Sequence, residues 1–186
     1  MNITSKQKLS GSYGIQIKRD GEYMNLWQEN KVGYWLYALT GIVFKLPLLG
    51  GYTKQYWKSN LIVNTGLVEL AALAIDSGTP TAFSFIGVGT DNTAAAAADT
   101  TLGVEITDSG LARTAGTKSI TTTTVTNDTA QLFKSFSVTG IKAVVEVGIF
   151  NASSSGDMLS RSIITTKNVE NGDDLVITYK ISGANA

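Results

Sequence analysis

Apolar and polar positions recur at two different periods along this chain, and the change of period divides it. Between Asn60 and Asp76, the stretch "NLIVNTGLVELAALAID" sets Leu67, Leu70, Ala71 and Ala74 at the spacing of one helical face. Asn64 or Thr65 stands where a side-chain oxygen can accept from the free first-turn N–H groups, and Glu69 suits the positive end of the helix dipole. A helix over residues 64–76 is predicted. Gly66 weakens it, since an interior glycine costs about 1 kcal/mol relative to alanine.

After the helix the texture is that of strands. The runs are "AFSFIGVG" (82–89), "KSITTTTVT" (118–126), "AQLFKSFSV" (130–138), "IKAVVEVGIF" (141–150), "MLSRSIITT" (158–166) and "DLVITYKI" (174–181). Turn residues separate them, notably Asn127, Asp128 and Thr129, the segment "NASSSGD", and "ENGD". Short strands at this spacing predict a mainly β fold, an antiparallel β-sandwich or small jelly roll, over residues 60–186. The threonines 121–124 suit an edge strand, where β-branched side chains pack on one face and stay wet on the other.

Residues 1–59 differ. All three tryptophans and six of the seven tyrosines lie there. Asp20–Gly21, between "YGIQIKR" and "EYMNLW", predicts a hairpin turn, while Gly41, Pro47, Gly50 and Gly51 interrupt any long helix. The segment reads either as an extended N-terminal arm or as extra strands completing a local sheet. In the arm reading, Trp27, Trp35, Tyr37, Phe44 and Trp57 form an assembly interface, because aromatic side chains bring large contact area at little entropy cost.

Charge supports that division. The formal net charge is zero, yet residues 1–59 carry eight basic side chains against three acidic, and residues 60–186 carry seven against twelve. Opposite signs suit contact between the two regions, within one copy or between neighbours. A neutral whole gives no reason to expect nucleic-acid binding. The most apolar run, Val32 to Phe44, falls short of the roughly 20 residues that cross a bilayer, so no membrane partner is expected. The polar first residues carry no secretory signal pattern.

The chain has no histidine and no cysteine, which removes imidazole bases, thiol nucleophiles and the common zinc ligands. "GVGTDNTAAAAADT" is glycine-rich but lacks the lysine of a phosphate loop, and reads as a surface loop ending at Asp99 and Thr100. Glu170, Asp173 and Asp174 cluster at a turn without the regular spacing of a calcium loop. No metal, no cofactor and no catalytic residue are assigned, and an enzyme is not expected. Two arginine–carboxylate combinations remain: Glu105 with Arg113, and Glu146 with Arg161. A charge inside an apolar strand is rarely buried alone, so structural ion pairs are predicted, with Glu146 and Arg161 fixing the register of two strands joined by a flexible loop.

The segments "NLIVNTGLVELA", "IGVGTDNTAAAAADTTLGVEI" with Arg113, and "VVEVGIFNASSSGDMLSRSII", in that order and spacing, resemble a pattern met in virion structural proteins of tailed bacteriophages. The resemblance covers roughly residues 60–181. It implies a non-enzymatic β-domain assembling in many copies on heads, collars, tails or fibres. The expectation drawn is a virion protein that decorates or cements the capsid through its N-terminal arm. The alternatives are a tail, collar or fibre component, or a module binding a host surface glycan or receptor. The expected partners are other virion proteins, such as the major capsid protein, and further copies of itself.

Overall fold

The computed structural model describes residues 8–23 and 57–184. Two antiparallel sheets face each other. In chain order the elements are β1 (Lys8–Arg19), β2 (Glu22–Tyr23), β3 (Lys58–Ser59), β4 (Leu61–Ile62), α1 (Asn64–Ile75), β5 (Phe85–Gly89), β6 (Thr114–Ala115), β7 (Thr117–Thr121), β8 (Thr129–Ser137), β9 (Lys142–Phe150), β10 (Met158–Val169) and β11 (Asp174–Ala184). The first sheet runs β2-β1-β11-β8-β7, with β3 also paired to β1, and the second runs β4-β10-β9-β5-β6. The predicted antiparallel sandwich is the fold observed.

Alternation along each strand decides which residues meet in the middle. Tyr13, Ile17, Leu132, Phe136, Leu175, Ile177 and Tyr179 enter from the first sheet, and Ile86, Val88, Val144, Val147, Ile149 and Leu159 enter from the second. Burial raises the phenol of Tyr179 to about 12, and that of Tyr13 also lies above its ordinary value. Asn60 donates to the Tyr179 oxygen at 2.7 Å, tying the approach to β4 onto the first sheet.

β1 corrects the expected boundary at residue 59. It pairs with β11 along its whole length, from Lys8 opposite Ala184 to Lys18 opposite Asp174. Tyr13 and Ile17 are buried in the core, so these residues belong to the sandwich and not to an arm. The physical reason is that β11 needs a partner on each side to satisfy its backbone groups, and the alternating apolar residues of β1 supply one. The hairpin at Asp20–Gly21 is present, with Arg19 opposite Glu22, and both turn residues take positive φ as a two-residue hairpin loop requires. Trp27, Trp35, Tyr37 and Phe44 lie outside the described residues.

The helix forms where predicted but docks through a different face. Gly66 is buried, and a Cβ there would collide with the Leu159 carbonyl oxygen and sit 2.7 Å from Leu159 Cα. The glycine that counts against an isolated helix is what lets this one lie against β10. Leu70 packs on the core, whereas Leu67, Val68 and Ile75 are 49 %, 70 % and 78 % exposed. Apolar residues surround most of the helix, so periodicity could not choose the docking face. Val63, not Asn64 or Thr65, occupies the N-cap and makes no side-chain cap; the Asn64 N–H instead donates to the Ala97 carbonyl at 2.8 Å. No described helix is long and apolar enough to cross a membrane.

The strand expected over 118–126 stops at Thr121. Asp128 accepts from the N–H groups of Thr123, Thr124 and Val125 and from the Thr124 hydroxyl, which folds residues 122–128 into a loop. These donors hold the Asp128 carboxyl far below the usual carboxylate range.

Candidate functional site

The charged side chains gather into three arginine-centred networks. The largest begins with Glu146 on β9, which is fully buried. In the β9–β10 register Arg161 faces Gly148 and Glu146 faces Ile163, so arginine and carboxylate are diagonal neighbours, within reach of long side chains. Arg161 Nε donates to Glu146 Oε2 at 2.8 Å, Nη1 to Asp99 Oδ2 at 2.9 Å, and Nη2 to Asp91 Oδ2 at 2.8 Å. One guanidinium thus holds three carboxylates.

Glu146 in turn gathers a loop. Its Oε1 accepts from the N–H groups of Asp91 at 3.2 Å and Val104 at 3.0 Å, and its Oε2 accepts from Gly103 N–H at 3.0 Å. The base of the loop is closed by Thr90 N–H donating to Val104 O at 2.9 Å. Gly89 is required here, because a Cβ at that position would collide with Glu146 Oε1 and the Val104 carbonyl oxygen. The N–H of Asp91, from the glycine-rich stretch, and the successive N–H groups of Gly103 and Val104, just beyond it, thus form an anion nest whose occupant is the protein's own glutamate.

Hydrogen bonds hold the peripheral carboxylates in their charged form. The Thr93 side chain and backbone, with Arg161 further off in weight, hold Asp91 below its ordinary value. The Ala96 N–H is the main cause of the same shift at Asp99, again with help from Arg161. Burial opposes the charge of Arg161, but Asp99 and Glu146 outweigh it and raise the guanidinium pKa.

The second predicted pair is also present. Arg113 grips Glu105 through Nε at 2.7 Å and Nη2 at 2.5 Å, in the fork-to-fork geometry that a lysine cannot reproduce. Its guanidinium stacks 3.4 Å over the Phe150 ring, and Nη1 donates to Ser155 O at 2.8 Å. Asn151 closes the same β9–β10 loop by accepting from Asp157 N–H at 2.8 Å. The polar stretch "NASSSGD", expected as a flexible linker, is a compact loop tied down at both ends and in the middle.

The third network had no sequence signal. Arg19 at the end of β1 donates to both oxygens of Asp173, each at 2.7 Å, and pairs with Glu170 at 2.9 Å. Asp173 is 2 % exposed. The acidic turn weighed as a cation site thus has two of its carboxylates turned onto an arginine 151 and 154 positions earlier in the chain. Asp91 and Asp99 were missed as well, although two aspartates bracketing five alanines was a usable hint. Of the aromatic side chains expected at an assembly interface, Trp57 is described: it is 42 % exposed, with Lys180 Nζ 4.5 Å from its ring.

In each network the carboxylates are aimed at an arginine or at backbone N–H groups, the geometry of a structural clamp. All but Arg19 of these three networks falls within one family match. The family model of the podophage GP4 fiber I protein gp80 matches residues 68–181. The chain belongs to this family. It is a structural protein of the tailed-phage virion, and the virion is where it resides. The match begins within α1 and ends in β11, so it takes in β5 to β10, most of β11 and the Glu146 nest, and leaves β1 to β4 outside. No curated protein and no solved structure matches the chain.

Proposed function

We propose that this chain is a fibre or tail-attached component of the virion, a non-catalytic β-domain that works by packing against other virion polypeptides. The observation that carries the reading is the fibre-family match over residues 68–181. The capsid-decoration role expected from the sequence draws no support from a fibre family, and the tail, collar or fibre alternative takes its place. Two features of the molecule favour a packing role. The charged groups of the three networks are turned onto each other, where they tie loops to strands. Meanwhile Leu67, Val68 and Ile75 present an apolar helix face to solvent, and exposed apolar patches of this kind mark association surfaces.

Electron microscopy of particles labelled with an antibody to this chain tests the placement. Label on fibres or the tail is expected. Label spread over the capsid faces refutes it and restores the decoration role.

A further inference from the structure

The first sheet has one edge built differently from the others. The free side of β1 is paired in part by β2 and β3, and the second sheet ends in the two-residue strands β4 and β6. β7 is the exception among the described residues: five residues long, outermost, and paired with β8 on one side, from Thr117 opposite Phe133 to Thr121 opposite Thr129. Thr117, Lys118, Ser119 and Ile120 are all exposed. The outer side of such a strand is a row of backbone donors and acceptors that templates another strand.

Beside this edge the two sheets stand apart, leaving a cavity of about 300 Å³. Phe83, Leu132, Ile149 and Leu159 form its walls, and Ile120 and Lys118 of β7 line it at the edge. Ile120 belongs to the same face as buried Leu132, yet it is 62 % exposed because nothing described closes the sandwich beyond it. The cavity therefore lies under a strand whose outer side pairs with no other strand among the described residues.

We propose that β7 accepts an extended peptide strand from another virion polypeptide, which continues the first sheet and places apolar side chains in this cavity. The backbone edge specifies an extended chain, since only a strand presents matching N–H and C=O groups at the right repeat. The walls specify apolar residues at alternate positions, because side chains of a strand point to opposite faces. Lys118 specifies an acidic residue near it, by charge complementarity. This inference rests on the reading of the chain as a virion component.

Photo-crosslinking in infected cells tests it. The full chain is produced with benzoylphenylalanine at position 120, and separately at Ile141, which is 84 % exposed and remote in register from β7. The expected result is an adduct at position 120 and not at 141, mapping to a segment of alternating apolar and polar residues with an acidic neighbour. No adduct at 120, equal adducts at both positions, or an adduct to lipid, polysaccharide or a helical segment overturns the proposal. Ile120→Lys provides the second arm. Its melting temperature stays at the parent value, and its incorporation into particles falls at least tenfold; unchanged incorporation overturns the proposal. Particles that contain the chain while position 120 gives no adduct reject the strand and leave the fibre reading standing. A chain absent from particles that still yields the adduct in cells does the reverse.

Discussion

Replacing Glu146 by glutamine tests the buried clamp directly, because it keeps the volume and removes one charge and half of the acceptors. The carboxylate accepts four hydrogen bonds, from Arg161 and from the N–H groups of Asp91, Gly103 and Val104, two at each oxygen. A glutamine can serve two of these donors with its carbonyl; its NH2 group then confronts the other two, donor against donor. Removing one partner of a buried ion pair costs about 3–5 kcal/mol. Arg161 keeps Asp91 and Asp99, which are partly exposed, so the lower end of that range, about 3 kcal/mol, is expected for Glu146→Gln. In a chain of this size about 3 kcal/mol lowers the melting temperature by about 6–12 °C. Thermal and urea unfolding followed by circular dichroism give the measurement. A melting temperature within 1 °C of the parent refutes the clamp. A further comparison separates this network from an ordinary buried pair, which can be exchanged for apolar residues at little cost. Glu146→Leu with Arg161→Met leaves three backbone N–H groups without their acceptor, so the double variant stays destabilised relative to the parent.

Arg19→Met takes the guanidinium from both Asp173 oxygens, leaves Oδ2 with the Glu170 N–H, and strands a carboxylate at 2 % exposure without its arginine, which costs about 3 kcal/mol. Amide exchange in β1 and β11 should accelerate together, and Arg19→Lys should restore only part of the protection; unchanged exchange would show that β1 is held by its ladder alone. The pH dependence follows from Asp91 and Asp99, whose folded pKa values lie below their ordinary values. Such groups contribute stability above the unfolded carboxylate value of about 4, and the contribution is lost as pH falls through the depressed folded values. Melting temperature should therefore fall between pH 4 and pH 2, and Asp91→Asn with Asp99→Asn should flatten the decline. A double variant with the same acid profile as the parent rejects this assignment.

How much was legible in the sequence depended on distance along the chain. The strands after residue 80 and the hairpin at Asp20 were readable because alternation and turn chemistry are local. Glu105 with Arg113 and Glu146 with Arg161 were readable for a related reason: each pair is separated by one loop or turn, and a charge among valines demands a nearby partner. Other parts were not readable. Nothing around "YGIQIKR" states that it will pair with residues 174–184, because strand pairing depends on which free edge the rest of the fold leaves open. Arg19 and Asp173 meet only as a consequence of that pairing.

The glycines show the same division. Gly89 read as part of a flexible loop and Gly66 as a flaw in a helix. Each is instead a point where two backbones, or a backbone and a carboxylate, approach too closely for a Cβ. By itself the sequence determined the element types, the mainly antiparallel β class and the existence of structural ion pairs, since these follow from local periodicity and from the cost of an unpaired charge. Only the tertiary structure decided that β1 is part of the sandwich, that α1 turns Gly66 rather than Leu67 inward, and that the loop amides enclose Glu146. Those outcomes are set by contacts between residues far apart in the chain, where local propensity has no information.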